Sequence, residues 1–397
     1  MITIRTLDQL NFDPGSRVFY RVDYNVPFEG GRITDATRIE ATLLTLQRLR
    51  ERGAAIVLAS HLGRPKGQRN EKYSLKPVRD HLAELTGLDV GWADDCVGQD
   101  AEEKAGHLRP GQLLLLENLR FHPGEEKNDA SFAAQLHKLA GYYINDAFGA
   151  SHRAHASIDA LPRLFPADHT AGGILLTKEL QFLQRVTTTP ERPFVALLGG
   201  AKIAGKIEPL EALVKLADKI LIGGGMANTF LAARGHAMGG SLVDQESIEV
   251  AKRILGTGSK VVLPLDLVVA DDLQSPTKVE TVDAGTPLGA GQKAFDIGPK
   301  TVERYAEEVK SAKTVFWNGP MGVFENTRFA KGTMAIAAAV ADSPAITVVG
   351  GGESVEAVKA SGFADRISHI STGGGASLEF IAGQTLPGVE VLRQAEG

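Results

Sequence analysis

Bare backbone N–H groups at the start of a helix bind anions, because the unsatisfied donors and the positive end of the helix dipole point at the same place. The stretch AITVVGGGESVEAVK at 345–359 is built to present them. An apolar, β-branched run at 346–349 reads as a buried strand, Gly350, Gly351 and Gly352 follow at once, and Glu353 and Ser354 open a segment of helical composition. Taken alone, such a joint is equally well a tight turn. The device recurs, however. The apolar run 195–198 ends in Gly199-Gly200, 220–222 in Gly223-Gly224-Gly225, 315–317 in Asn318-Gly319-Pro320, and 367–371 leads to Gly373-Gly374-Gly375 and the helical run ASLEF. Parallel strands would line all five ends along one edge, where α/β sheets bind ligands. The second half therefore reads as a site for a large phosphorylated ligand. Lys202 and Lys206, in GAKIAGKI just beyond one strand end, could reach a transferring phosphate. This is not a P-loop, since Ile207 stands where a hydroxyl must meet Mg²⁺. Glu325, in NGPMGVFE, lies in a loop where a carboxylate could accept from ribose hydroxyls.

The first half carries a different chemistry. Arg38, His61, Arg64, Arg120 and Arg153 lie mostly at or just beyond the ends of strand-like runs. Singly, each reads as a solvated surface cation. Converging on one sheet edge, they describe a pocket for a small, multiply charged anion, because guanidinium forks match carboxylate and phosphate geometry. His152 and His155 are three apart, but no carboxylate or cysteine cluster accompanies them, so they are not read as a metal pair. G-x-S-x-G and H-E-x-x-H are missing, and Gly223-Gly224-Gly225-Met226 is not a dinucleotide fingerprint.

Positioning two such sets calls for two sheets. In the first half, runs at 18–22, 55–59, 112–116 and 142–144 alternate with helical stretches, one of them marked by Ile39, Leu43, Leu46 and Leu49. That alternation predicts a parallel sheet covered by helices on both faces. Gly172-Gly173 precedes ILLTKELQFLQRV, where Leu176, Leu180 and Leu183 share one helical face. TTTPERP at 187–193 then marks entry to a second α/β unit, whose first helix shows Leu210, Leu213, Val214 and Ala217 on one face. The expected division is a first domain at 1–172, a connecting helix at 173–187 and a second domain at 188–377, with the tail 378–397 packing back on the first.

Composition agrees with this size. The 397 residues are 43% hydrophobic and 23% charged, which suits a soluble two-domain protein. A net charge of -5 argues against a nucleic-acid partner. Cys96 is the one cysteine, expected to be buried, so neither a disulfide nor a cysteine metal cluster is expected. No run approaches the ~18 apolar residues of a membrane span, and the N-terminal stretch lacks a signal-peptide core. A cytoplasmic protein with no membrane partner is expected. Two function classes fit: a kinase joining two anions, or a two-domain protein that clamps one anionic ligand. Glu325 favours the enzyme, since an anion clamp gains nothing from a carboxylate there.

RVDYNVP from Arg21, SHLGRP from Ser60, LLENLRF from Leu115, NDAFGASHRAH from Asn145, LLGGAKIAGK from Leu197, IGGGMANTFL from Ile222, WNGPMGVFE from Trp317 and STGGGASLEF from Ser371 occur in one order along the chain. Together they resemble the phosphoglycerate kinase family over essentially the whole length. The resemblance implies two Rossmann-like three-layer α/β domains with parallel sheets, hinged across a cleft, and a monomer. It implies reversible phosphoryl transfer between ATP and 3-phosphoglycerate, giving ADP and 1,3-bisphosphoglycerate, with Mg²⁺. Carried over by motif, Asp23, Asn25, Arg38, His61, Leu62, Gly63, Arg64, Arg120 and Arg153 would bind 3-phosphoglycerate. Gly200, Lys202, Lys206, Gly223, Asn318, Pro320, Glu325, Gly351, Gly352, Glu353 and Ser354 would bind the nucleotide. Arg38, Lys202, Lys206, Gly373 and Gly374 would act in catalysis, and Glu353 would hold the metal. Three motifs depart from the commoner family residues: Tyr24 stands for Phe, Ser151 for Ala, and Glu353-Ser354 for Asp-Thr. Only the last touches an expected ligand, which becomes one methylene longer.

Overall fold

Uninterrupted apolar runs such as Ala55–Ala59 and Leu113–Leu116 are buried along their whole length, as strands covered on both faces must be. The structure, a computed structural model, describes residues 2–258 and 260–394. Its strands are β1 (Arg17–Arg21), β2 (Phe28–Glu29), β3 (Arg32–Ile33), β4 (Ala55–Ala59), β5 (Val90–Ala93), β6 (Leu113–Leu116), β7 (Tyr142–Asn145), β8 (Thr170–Gly172), β9 (Phe194–Leu198), β10 (Lys219–Ile222), β11 (Val261–Val262), β12 (Asp266–Ala270), β13 (Val279–Asp283), β14 (Lys293–Ile297), β15 (Thr314–Asn318), β16 (Ile346–Gly350) and β17 (His369–Ile370). The chain forms two units, divided between Gln181 and Phe182 and again between Gln384 and Thr385, so that the last segment returns to the first unit.

The first unit holds a six-stranded sheet in the order β5-β6-β4-β1-β7-β8, every pairing parallel. The chain moves outward from β1 through β4 and then returns to lay β7 on the other side of β1. That reversal opens a crevice at the carboxyl ends of β1 and β7, the place where open α/β sheets bind ligands. Tyr20, Leu58, Leu115 and Ile144 anchor one face of the core. The tail is fastened here: Asn145 Nδ2 donates to the Gly388 carbonyl at 3.0 Å, and the Gln394 N–H donates to the Thr3 carbonyl at 3.0 Å.

The segment marked by Ile39, Leu43, Leu46 and Leu49 is two helices, Thr37–Glu40 and Leu43–Glu51, rather than one. Thr42 lies at the break. Its hydroxyl donates to the Ile39 carbonyl at 2.8 Å and shares a hydrogen bond with the Tyr24 hydroxyl at 3.0 Å, while Tyr20 donates to its carbonyl at 3.1 Å. The Thr42 carbonyl also accepts from the Leu46 N–H at 3.0 Å, so the second helix starts here while the Thr42 hydroxyl occupies the Ile39 carbonyl of the first.

In the second unit the order is β11-β10-β9-β15-β16-β17, again wholly parallel. The reversal falls between β9 and β15. Val195, Leu197, Trp317 and Val349 carry its core. Sequence periodicity did not reveal a further antiparallel sheet, β13-β12-β14. β13 is short and charged, and only its alternate residues are partly buried, so it shows no apolar run. The helix Ile174–Thr187 leaves the first unit at Gln181 and enters the second at Phe182, with Leu176, Leu180 and Leu183 buried as their spacing predicts. At its start, Asp146 accepts from the Leu176 N–H at 2.8 Å, and a side chain at Gly173 would meet that carboxyl at 2.3 Å.

Candidate functional site

In the first unit the candidate residues sit on the loops that follow β1, β4, β6 and β7. Asp23, just past β1, is buried. Its Oδ1 accepts from the Asn25 N–H at 3.2 Å and from Arg38 Nη1 at 3.4 Å. Arg38, on the helix Thr37–Glu40, also donates to the Asn25 carbonyl at 2.9 Å. Asn25 Oδ1 accepts from the Gly63 N–H at 2.9 Å, and the Gly63 carbonyl accepts from Arg120 Nη1 at 2.8 Å. One chain of hydrogen bonds therefore links Arg38, Asn25, Gly63 and Arg120. Asn118 pins the loop from beneath, accepting from the Leu62 N–H at 3.2 Å and donating to the Leu62 carbonyl at 2.8 Å. Leu62 itself is buried, so it offers a ligand only its backbone.

His61 is buried and its pKa lies well below the ordinary 6.5, first because burial disfavours the imidazolium and then because Arg120, Arg21 and Arg38 repel added positive charge. The ring is therefore neutral beside Asp23, whose Oδ1 lies 3.9 Å from Nε2. Arg120 is largely buried too, and its pKa is pushed down by that burial and by Arg21. Arg64 and Arg153 differ: both are exposed, and Arg153 donates to His152 Nε2 at 3.0 Å.

Two members were not among the expected anion-binding residues. Arg21 is wholly buried at the end of β1, where it donates to Ser157 Oγ at 2.7 Å, contacts His61 Nδ1 at 3.3 Å and lies 3.8 Å from Glu125. Its place inside a strand-like run hid it. His155 is also buried, with a pKa lowered to about 3 by burial and by Arg120 and Arg21, and its Nδ1 has no hydrogen-bond partner. Neutral histidines framed by arginines make a donor-rich, electropositive pocket suited to a small anion.

The second site forms where β9, β10, β15 and β16 end. Four of these ends touch through glycine. A side chain at Gly199 would strike the Pro320 carbonyl at 2.0 Å, and one at Gly225 the Ala201 carbonyl at 2.5 Å. Gly223 is crowded by Met321 Sδ in the same way at 2.5 Å. A side chain at Gly351, at φ 91, would strike Asn318 Nδ2 at 2.8 Å, and one at Gly374 would come within 3.1 Å of the Gly351 Cα. Glycine is required here by contact as well as by turn geometry. Asn318 is buried, donating to the Gly350 carbonyl at 3.0 Å, and Ser354 Oγ accepts from the Gly319 N–H at 2.5 Å. Gly373 caps the helix Gly374–Ile381, its carbonyl taking the Ser377 hydroxyl at 2.8 Å. Gly352 is open to its surroundings.

Above this layer lies a cavity of about 490 Å³, lined in part by Gly200, Gly224, Gly225, Pro320, Glu325 and Glu353. Lys206 donates to the Gly199 carbonyl at 3.2 Å, and its pKa is lowered by burial against the opposing pull of Glu353. Lys202 is exposed and is not part of the lining. The helix Gly352–Ser361 starts at the cavity with Glu353 in its first turn.

A family model described as phosphoglycerate kinase matches residues 7–384. The chain belongs to the phosphoglycerate kinase family. The phosphoglycerate kinase of Desulforudis audaxviator is 51% identical over 395 residues, covering 98% of both chains, and that of Moorella thermoacetica is 50% identical over 399 residues, covering 99% of both. Among solved structures, phosphoglycerate kinase from Coxiella burnetii superposes with a TM-score of 0.88 at 36% identity, covering 98% of this chain and 99% of that one. The enzyme from Pyrococcus horikoshii gives 0.87 at 34%, covering 98% of each. The protein is thus a phosphotransferase of the two-domain α/β kind, and the kinase class prevails over the anion clamp.

This phosphoglycerate kinase fold also contributes cavity residues that no motif signalled: Leu242, Leu273 and Phe295 supply apolar wall, and Lys293 joins them, beside Val323 and Asn228 from the quoted motifs. Leu273 and Phe295 come with the antiparallel sheet, whose strands the sequence pattern does not reveal. Cys96 has acquired neighbours that its isolation in sequence did not suggest. Asp95 Oδ1 accepts from His122 Nε2 at 2.6 Å, and the three side chains lie together. Burial and Asp95 push the Cys96 thiol up, which keeps it protonated.

Proposed function

We propose that the chain catalyses reversible transfer of the γ-phosphoryl group of ATP to the carboxylate of 3-phosphoglycerate, with ADP and 1,3-bisphosphoglycerate as products, the reaction of its family in glycolysis. A carboxylate oxygen of the acceptor attacks the γ-phosphorus. The bond from that phosphorus to the β–γ bridging oxygen breaks, and the electron pair leaves with ADP. The nucleophile is already ionised at neutral pH, so no protein base is needed. Such a transfer is catalysed by positioning and charge neutralisation.

The observation that carries this reading is the pairing, in one chain, of an arginine-rich pocket and a glycine-built phosphate cavity at the switch points of two separate sheets. In this reading Arg38, Arg120 and the exposed Arg64 and Arg153 hold the acceptor with Asp23, Asn25, His61 and the backbone of Leu62 and Gly63. Arg38 meets the transferring group. Gly200, Gly223, Gly351, Gly352, Gly373 and Gly374 leave room for phosphate near helix starts, with Asn318, Pro320 and Ser354 fixing their backbone. Lys202 and Lys206 meet the phosphates, and Glu325 takes the ribose.

Glu353 fits a hard divalent cation. It is an exposed carboxylate on the cavity wall and, among the described residues, forms no ion pair. Mg²⁺ bound there would neutralise phosphate charge, and it prefers carboxylate, phosphate and water oxygens. Because acceptor and donor sites belong to different units, transfer calls for a hinged closure that brings them together and excludes water. A monomeric, cytoplasmic enzyme without nucleic-acid or membrane partners is part of the same proposal. The net charge of -5 bears on the nucleic-acid part, and among the described residues no helix is long and apolar enough to cross a membrane.

The test is a coupled assay for ATP formation from ADP and 1,3-bisphosphoglycerate. Turnover that requires both substrates supports the reading. Tight binding of either anion without turnover would favour the clamp.

A further inference from the structure

The charged side chains on the cavity wall are Glu325, Glu353 and Lys293. The two carboxylates have roles in the reading above, and Lys293 has none. It is the first residue of β14, half-buried, and faces β12 across the Ala270 register pair. Its stem packs on the Gly240 backbone, where an added side chain would come within 3.3 Å of Cγ and 3.4 Å of Cε. The stem is therefore held by the fold. The ammonium is not: among the described residues it makes no hydrogen bond and no ion pair. Its charge is felt at Asp272, but only behind that carboxylate's own bonds to Ser275 and Gln274 N–H groups.

Its neighbours fix which part of a nucleotide it would meet. Glu353 and Lys206 gather at Gly200, where a side chain would lie 3.8 Å from Glu353 Oε2 and 3.3 Å from Lys206 Nζ. That is the phosphate end. Lys293 belongs to another wall, joined to the Gly240 loop and to Ala294. The Ala294 N–H donates to Ser241 Oγ at 2.9 Å, and the Gly240 N–H to the Gln292 carbonyl at 2.9 Å. Leu242, Leu273 and Phe295 complete an apolar slot around it, the kind of surface that receives a planar base.

We infer that Lys293 reads the edge of the purine base and biases the enzyme toward 6-oxopurine nucleotides. An ammonium has three donors and no acceptor. Guanine and hypoxanthine offer it two neighbouring acceptors, O6 and N7. Adenine offers N7 beside an amino group that is itself a donor, so the same ammonium gains less there. The inference rests on the cavity being the nucleotide site. It adds a determinant that the glycine framework, which is blind to the base, cannot supply.

The experiment is the specificity constant for MgATP, MgGTP and MgITP with saturating 3-phosphoglycerate, for the wild type, Lys293→Met and Lys293→Arg. The ratios GTP/ATP and ITP/ATP carry the inference, and neither constant alone does. Lys293→Met should lower both ratios about tenfold, within the span for one good pairing to a base edge. Lys293→Arg should keep them within about threefold of wild type, since guanidinium also donates to O6 and N7. ITP lacks the 2-amino group, so a parallel fall for GTP and ITP assigns the effect to O6. Ratios unchanged in Lys293→Met would overturn the inference while leaving the nucleotide site standing. A wild type that turned over none of the three would overturn both.

Discussion

The backbone N–H of Gly63 donates to Asn25 Oδ1 at 2.9 Å, tying the loop after β4 to the loop after β1. On its other side the Gly63 carbonyl holds Arg120. Gly63 has φ 61, and a side chain there would lie 2.3 Å from the Tyr73 ring. Gly63→Ala should therefore destabilise the first unit by more than about 1 kcal/mol, from the positive φ together with the clash. It should also raise the KM for 3-phosphoglycerate more than the KM for MgATP, because the loop, with its hold on Arg120, shifts. Thermal melts with the two KM values check this. Equal rises in both would mean that Gly63 matters to stability alone.

Arg38 spends Nη1 on the Asn25 carbonyl and Asp23, which leaves Nε and Nη2 for a ligand. Arg38→Ala should lower kcat by on the order of 10²–10⁴, the range for removing a preorganised cationic contact to a transferring phosphoryl group. Affinity for 3-phosphoglycerate should fall less, since the other arginines remain. A kcat within threefold of wild type would remove Arg38 from the transfer step.

Much of this was legible in the sequence. Apolar runs located most strands of both parallel sheets, those of the second ended by glycine, because a strand buried on both faces needs no alternation and a crowded strand end tolerates no side chain. Arginines beyond strand ends pointed to the arginine-rich cluster of the first unit. What escaped has physical causes. Arg21 is a buried charge made tolerable by the long-range partners Ser157 and Glu125, and His155 is a buried neutral ring held beside Arg120 and Arg21, relations which no local spacing reveals. The break at Thr42 depends on two tyrosines reaching it from β1 and just beyond. The apolar wall of the second unit's cavity is assembled from β14 and loops, so its residues never form a run.

The two buried histidines predict a pH dependence of stability. His61 and His155 both have folded pKa values below the unfolded 6.5, His155 at about 3. Between the folded and unfolded values the unfolded chain binds more protons, so stability is full above pH ~6.5 and is lost on acidification, by about 1.4 kcal/mol per pH unit for each group. Asp146 and Asp296, raised by burial to about 6 and about 7, act in the opposite sense as the pH falls from those values toward 3.8. Two raised carboxyls thus oppose the two histidines, and the histidine contribution is isolated by comparing the wild type with a variant that lacks one of them. His155→Gln removes one contribution, so the stability difference between wild type and variant should shift by about 1.4 kcal/mol, against the wild type, from pH 7.5 to 5.5. Urea unfolding at the two pH values measures it. A constant difference would mean that His155 is not held neutral.

Glu353 should hold magnesium, tolerating Asp but not Ala. It stands in the first turn of the helix Gly352–Ser361, on the wall of the phosphate cavity. A carboxylate there would repel a nucleotide, since two like charges at ~4 Å cost roughly 1–4 kcal/mol at effective dielectrics of 80 to 20. A hard divalent cation between them turns repulsion into attraction. The competing explanation is that Glu353 only favours the helix N-terminus, worth about 0.3–1 kcal/mol of stability. Lys206 does not decide between them, because its pull on Glu353 serves either role. The Mg²⁺ titration does. If Glu353 is a ligand, Glu353→Asp keeps most activity, while Glu353→Ala weakens MgATP turnover and moves the half-saturating Mg²⁺ concentration upward. If it only serves the dipole, Glu353→Ala lowers the melting temperature slightly and leaves the titration where it was. The same titration followed by MgADP binding, without turnover, separates a lost ligand from a misplaced phosphate. A half-saturation point that does not move in the Ala variant would retire the metal role.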